Sequence, residues 1–343
     1  MLKDERIAQQ RIFFGPRYEA LDALAPQGPM FVVGSERSVA LLDSALLGRH
    51  GAIERFGGAR PHNPQEVVDA AREIADRLHP QTVVAIGSSS AIDLGKAVAL
   101  ERACLLVTIP TALGGAEMSR GMGILQRDGI KAGFSLDAPS GVVIYDAELL
   151  ASLGDEELGS IGLNALAHAI EAQYAKSAQA LGVAAAERGG RSLLALLPQA
   201  ARQRDAGIHA ELFEAAYLAG FALDTCGMGL HHATCHVLGG LTHIPHGIVN
   251  AVVLPHAVRA NAEIATEAVE AVARALNVTD IAVEAEAIAR AFRLPRTLRE
   301  RGATADVIPR AIAALRLQRH LKNNPVPVPD ALAERVIWAS LGF

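Results

Sequence analysis

The sequence predicts a chain in two parts, an α/β N-terminal domain on a doubly wound parallel sheet followed by an all-α C-terminal domain. Three observations lead there. In the first half, short β-branched runs alternate with helical periods, which is the pattern of strands joined by crossover helices. After about residue 147 the strand-like runs nearly vanish, and Ala/Leu/Glu helical patterns continue to the end. The length of 343 residues, half of them hydrophobic, suffices for two cores rather than one. The boundaries follow as 1–150 and 151–343.

Taken in order, MFVVG (30–34), TVVAIG (82–87), LLVTIP (105–110) and GVVIYD (141–146) read as buried strands. PQEVVDAAREIADRLH (64–79) and SSAIDLGKAVALE (89–101) read as amphipathic helices packed on them. NNPVPVPD (323–330) reads as an extended turn before a final helix. A cleft between the two domains is the expected ligand site.

Composition excludes several function classes. A net charge of −5 and basic residues scattered rather than clustered give no footprint for nucleic acid. Three cysteines (Cys104, Cys226, Cys235) without a CxxC pair argue against a disulfide framework and fit a reducing, cytoplasmic compartment. The first residues, MLKDERIAQQR, lack an apolar targeting core, and no 18-residue apolar span occurs, so no membrane partner is expected.

Two loops leave strands at what should be one sheet edge. TVVAIGSSSAIDLGK (82–96) runs strand, small-residue turn, helix, and presents backbone N–H groups and a positive helix end above the sheet, which suits a pyrophosphate. Ser88 or Ser89 acting only as an N-cap is the alternative reading. TIPTALGGAEMS (108–119) supplies Thr111, Gly114 and Gly115 nearby. Together the loops point to a dinucleotide and make 1–150 the dinucleotide-binding domain.

The stretch GLHHATCHVLGGLTHIPHG (229–247) holds five of the twelve histidines. His232 and His236 are spaced i, i+4 and project from one helix face. Gly239 and Gly240 are expected to end that helix, leaving His243 and His246 in a loop. GLNALAHAIEA (162–172) places Asn164 and His168 at i, i+4 on another helix, with Glu171 about one turn further along. Three imidazoles from two helices and a loop could hold Zn²⁺ or Fe²⁺ with an open position for a substrate oxygen. Cys235 faces away from His232 and His236 and reads as core.

In this order the motifs resemble the iron-containing alcohol dehydrogenases, which share their architecture with dehydroquinate synthase, and within them the maleylacetate reductase branch. The resemblance runs through RIFFGPRYEAL (11–21), VVAIGSSSAIDLGKAVAL, IPTALGGAEMS, VIYDAEL (143–149), GLNALAHAIEAQYA, GLHHATCHVLGG, PHGIVNAVVLPHAVRANA and NNPVPV, and so covers nearly the whole chain. It implies hydride transfer between NAD(P)H and a carbonyl or alcohol carbon, and a homodimer. The nucleotide should lie over Gly87, Ser88 and Ser89, with Thr111, Leu113 and Lys131 nearby. The family's metal-ligand positions fall on Asn164, His168, His232 and His246, and His236 matches the histidine nearest the nicotinamide and the proton path. His231 and His243 lie outside the matched positions and are expected to be peripheral.

Several residues depart from the family pattern. Asn164 stands where metal-dependent members carry Asp, which removes the anionic ligand and ranks a metal-free reaction ahead of a metal-dependent one. AGFSLDAPSG (132–141) has Asp137 and no Arg where the reductase branch carries an Arg suited to a dicarboxylate, which leaves Arg120 as a candidate anchor. Asn250 follows the metal-dependent branch. Ser88 and Ser89 replace glycines where the pyrophosphate would approach. Glu36 or Arg37 after the first strand could select NADH or NADPH.

The leading expectation is an NAD(P)H-dependent reductase of maleylacetate type acting on a small polar carbonyl or enone acid. His168, His232 and His246 stabilise the oxyanion and His236 relays the proton. One alternative is a metal-dependent alcohol dehydrogenase on a small alcohol or aldehyde. The other is a redox-neutral lyase or non-catalytic homologue with an altered cofactor loop.

Overall fold

The computed structural model describes residues 3–7, 10–26, 28–43, 52–127, 131–137 and 140–343. The chain divides into two compact units, Met1–Ser152 and Leu153–Phe343.

The first unit is built on a seven-stranded sheet. Its strands are β1 (Lys3–Ile7), β2 (Gln10–Phe14), β3 (Met30–Val33), β4 (Ile53–Phe56), β5 (Thr82–Gly87), β6 (Leu105–Pro110) and β9 (Val142–Tyr145), in the order β1-β2-β9-β6-β5-β3-β4. All neighbours are parallel except β1 and β2. A separate antiparallel pair, β7 (Gly121–Leu125) and β8 (Lys131–Ser135), escaped the sequence reading because GMGIL and KAGFS are Gly-interrupted and show no clean alternation.

The central strands are apolar on both sides for a reason visible in their alternation. Val32, Val84, Ile86, Val107 and Ile109 join one core cluster with Leu21 and Leu149, while Phe31, Val33, Val83, Ala85 and Leu106 join another with Val67, Val68 and Ile92. Successive side chains thus enter opposite layers, and both layers are helix-covered. The helices among the described residues of this unit are α1 (Arg17–Leu24), α2 (Glu36–Val39), α3 (Gln65–Leu78), α4 (Ser89–Ala99) and α5 (Ala147–Leu150).

The second unit contains no strand. Its helices are α6 (Asp155–Tyr174), α7 (Ala180–Ala200), α8 (Ala206–Cys226), α9 (Leu230–Thr242), α10 (His246–Ile264), α11 (Thr266–Leu276), α12 (Ile281–Ala291), α13 (Ile308–Arg316) and α14 (Asp330–Leu341). Helix α6 begins with Asp155, Glu156 and Glu157, whose charges suit the positive helix end, and from Leu158 onward it is buried on almost every side. That burial sets Asn164, His168 and Glu171 in the interior of the bundle. No described helix is long and apolar enough to cross a membrane.

Two expectations about the histidine segment are corrected here. Gly239 and Gly240 do not end a helix: α9 continues to Thr242, whose hydroxyl donates to the Leu238 carbonyl, and His243 takes the left-handed cap conformation at φ 57°. Nor is His246 in a loop, because Ile244 and Pro245 complete the turn and α10 starts at His246 with Pro245 as its N-cap.

Candidate functional site

In the first unit, Gly87 and Pro110 end adjacent strands in register, and the Thr111 N–H donates to the Gly87 carbonyl at 3.0 Å. The two small-residue loops therefore leave the carboxyl edge of the sheet side by side, where open α/β sheets take ligands. Gly87 adopts φ +140°, and a Cβ there would lie 2.7 Å from the Ala91 Cβ and 2.9 Å from the Ser38 Oγ, so glycine is required. Ser88 is exposed and caps α4 without a side-chain hydrogen bond. Ser89 turns its hydroxyl toward the second loop, to the space a Cβ on Gly114 would fill at 2.4 Å. The missing side chain at Gly114 thus makes room for the serine that replaces glycine at 89.

Thr111 and Leu113 are buried in the second loop. Lys96, fully buried on α4, donates to the carbonyls of Ala116 (2.6 Å) and Gly121 (2.7 Å) and anchors the far end of that loop. Lys131 lies on β8, and its side chain falls outside the described residues, as do Ala138 and Pro139 of the segment 132–141. Arg120 and Glu36 are exposed, and Arg37 donates to the Ser152 carbonyl at 2.8 Å.

In the second unit, α6, α9 and α10 bring the imidazoles together. The rings of His168 and His232 stack with centroids 4.7 Å apart and 15° between planes. Both are buried, and burial, reinforced by neighbouring imidazoles, pushes both pKa values well below the ordinary histidine range, so both rings are neutral. Asn164 Oδ1, His168 Nδ1 and His232 Nε2 are buried without a hydrogen-bond partner on the protein. Three polar atoms left unsatisfied in one interior are costly unless a ligand, a water or an ion meets them.

His236 and His246 are exposed, with ring centroids 6.0 Å apart. The structure thus gathers Asn164, His168 and His232 as a buried group, with His236 and His246 on its accessible side. Half-buried His320, which the sequence reading passed over, sits edge-on to His236 at 5.2 Å.

The expectation that His231 is peripheral is corrected. It is fully buried, its Nε2 lies 3.1 Å from the Asn250 carbonyl oxygen, and its Nδ1 lies 3.2 Å from the His232 Nδ1. Its position at 231, one residue off the i, i+4 face, turns it inward between α10 and the His232 ring. Cys235 is core as expected, with its Sγ 3.4 Å from the His231 Nε2. His243 is exposed.

Glu171 was noted only for its helical spacing, yet it is the buried carboxylate beside these rings. It accepts from the backbone N–H groups of Gly229 (2.9 Å) and His231 (2.8 Å) and lies 2.6 Å from the His232 Nδ1. The extended turn expected at 323–330 also does more than span: Asn324, fully buried, accepts from the Leu230 N–H at 3.2 Å, and Asn323 donates to the carbonyls of Cys226 and Met228. These asparagines fix the turn from which α9 starts.

Ligand atoms of Glu171, His231 and His232 lie within 4.8 Å of one another. A cation among them is disfavoured by the 2.6 Å approach of Glu171 to His232, because two donors about 2.0–2.1 Å from tetrahedral Zn²⁺ stand roughly 3.3 Å apart. His168, His232 and His246 are not gathered within 4.8 Å of one another among the described residues, although their neutral nitrogen donors are of the type that suits a borderline cation such as Zn²⁺ or Fe²⁺.

Comparison with known proteins gives a consistent picture. Residues 9–147 match the iron-containing alcohol dehydrogenase model, and residues 160–336 match the model of the C-terminal part of the Fe-containing alcohol dehydrogenase family. The chain is 35% identical over 316 residues to a maleylacetate reductase of Burkholderia cepacia, covering 92% of this chain and 86% of that protein. It is 32% identical to the maleylacetate reductase of Pseudomonas knackmussii, covering 94% and 93%. The crystal structure of maleylacetate reductase from Agrobacterium tumefaciens superposes with a TM-score of 0.87 at 29% identity, covering 98% of this chain and 97% of that one.

Proposed function

The chain belongs to the iron-containing alcohol dehydrogenase family and is an NAD(P)-dependent oxidoreductase of maleylacetate reductase type; from that premise we propose that it reduces the carbonyl or enone of a small polar acid, maleylacetate or a close analogue. The observation that carries the site assignment is the buried group of Asn164 Oδ1, His168 Nδ1 and His232 Nε2, unpartnered within a helical bundle.

NAD(P)H, when bound, supplies the hydride. Gly87, Ser88, Ser89, Thr111, Leu113 and Lys131 would hold the nucleotide, with the φ of Gly87 and the small second loop leaving room for phosphate. Asn164, His168, His232 and His246 line the space that receives the substrate oxygen, and the hydrogen-bond donors among them stabilise the charge that develops there. His236, exposed beside His246 and His320, delivers the proton, a task suited to an imidazole open to solvent. Arg120 is the candidate partner of a substrate carboxylate. A cytoplasmic homodimer using NADH or NADPH belongs to the same proposal.

A second reading has the same residues hold Zn²⁺ or Fe²⁺, which would polarise the carbonyl as a Lewis acid. The unsatisfied imidazole nitrogens favour it; the absence of a carboxylate at 164 disfavours it. The relatives give no support to a redox-neutral lyase.

The test is NADH and NADPH oxidation with maleylacetate, before and after exhaustive chelation and with metal analysis of the purified protein. Turnover that survives chelation is expected for the metal-free reading. Turnover that disappears and returns with Zn²⁺ or Fe²⁺ establishes the second, and failure of both coenzymes to bind overturns the oxidoreductase assignment.

A further inference from the structure

Glu171 takes no part in the reaction just described, yet its carboxylate decides the proton on a residue that does. The Asn250 carbonyl can only accept, so the His231 Nε2 at 3.1 Å carries a hydrogen. A carboxylate oxygen likewise only accepts, so the contact between Glu171 and the His232 Nδ1 needs its hydrogen on His232, and the His231 Nδ1 that faces the same atom is bare. That bare nitrogen lies 3.2 Å from the His232 Nδ1, and a Glu171 oxygen lies 2.6 Å from the same atom. Two acceptors face one ring nitrogen, and a hydrogen between them must come from His232.

Resting on the reductase reading, we propose that Glu171 is a positioning residue for the reaction: with His231 it fixes His232 as the Nδ1–H tautomer, leaving the unpartnered Nε2 as a lone pair toward the substrate oxygen. The consequence is chemical. In this form His232 cannot donate a hydrogen bond to an oxyanion. It accepts from a hydroxyl, such as that of the product alcohol, or binds a cation. The same carboxylate holds the backbone N–H groups of Gly229 and His231, so the first turn of α9 and the ring tautomer are set by one side chain.

Glu171→Gln tests it. With the amide NH₂ in place of the oxygen that faces the His232 Nδ1, the amide oxygen still accepts from the His231 N–H and the Gly229 N–H loses its acceptor, while the NH₂ forces the His232 Nδ1 to accept and moves the hydrogen to Nε2. Expected are a fall of about 10- to 100-fold in kcat, a weakening of similar size in Zn²⁺ binding by calorimetry, and an unchanged dissociation constant for NADH. His232→Ala and His232→Ala/Glu171→Gln should then have the same kcat, since Glu171 acts through the ring. A further loss in the double variant would assign Glu171 a separate structural role and overturn the proposal. Because Glu171→Gln could fail to fold, neutron diffraction of the wild-type protein gives an independent answer: deuterium on the His232 Nδ1 is expected, and deuterium on Nε2 refutes it. That measurement needs no turnover, so a protein without maleylacetate reductase activity would remove the proposed reaction while the tautomer assignment stood or fell separately.

Discussion

His168 and His232, sixty-four positions apart on α6 and α9, lie ring on ring with centroids 4.7 Å apart and planes 15° from parallel. Two neutral imidazoles stacked in an interior hold each other's orientation, and a change at either should be felt as chemistry before it is felt as coenzyme affinity. His168→Ala and His232→Ala are expected to lower kcat by about 10²- to 10⁴-fold, with NADH affinity unchanged because the loops proposed to hold the nucleotide lie in the first unit. Steady-state kinetics with fluorescence titration of NADH checks this, and a loss of NADH binding in either variant would contradict it.

Asn164→Asp returns a carboxylate to a pocket of neutral nitrogens. Without metal, a buried charge without a partner costs stability, and the melting temperature should fall at neutral pH. With Zn²⁺ added it should recover, by more than the wild type gains, as ligand binding to the native state demands. Calorimetric titration and thermal melts on metal-stripped protein are the measurements. Equal Zn²⁺ affinity in both proteins would show that position 164 does not face a cation.

Gly87→Ala forces a side chain onto a backbone at φ +140° and into contact with Ala91. The expected cost is about 1–3 kcal/mol of stability, together with weaker NADH binding as the loop edge shifts. Denaturant unfolding and coenzyme titration report the two effects, and a variant of wild-type stability would refute the strain.

Acid should weaken the second unit early. His168 and His232 are held neutral in the fold, with pKa values below those of the unfolded chain, which lie at about 6.5. Between those values the unfolded chain binds more protons, so their contribution is complete above about pH 6.5 and is lost as pH falls toward the folded values. Melting temperature should therefore drop below that point, before ordinary carboxylates titrate, and the drop should shrink in His168→Gln. A flat profile down to about pH 5 would contradict the neutral assignment.

The sheet was legible because β5 and β6, buried on both faces, read as unbroken apolar runs, and their bounds agree with TVVAIG and LLVTIP to the residue. Asn164 and His168 read correctly as one buried helix face from their i, i+4 spacing, whereas the same spacing at His232 and His236 spans a buried and an exposed ring. Glu171 and His231 were not, because their importance lies in contacts between helices: the carboxylate meets the start of α9 about sixty residues later, and no local period encodes that meeting. The helix stop at Gly239 was misjudged for the opposite reason. Two glycines weaken a helix locally, but α9 there is carried past them to a cap at His243.

Asn323 and Asn324 bind the turn that launches α9, nearly a hundred positions earlier in the chain. The first unit, by contrast, is complete by Ser152, with Asp146 and Leu149 closing its core. During synthesis the two small-residue loops of the first unit are therefore made while the bundle is still to come, whereas the turn that starts α9 lacks its asparagine partners until residue 324 has emerged. A nascent chain that stops some twenty residues short has its sheet but lacks the strap that aims His231 and His232, so competence for the reaction is among the last properties the growing polypeptide acquires.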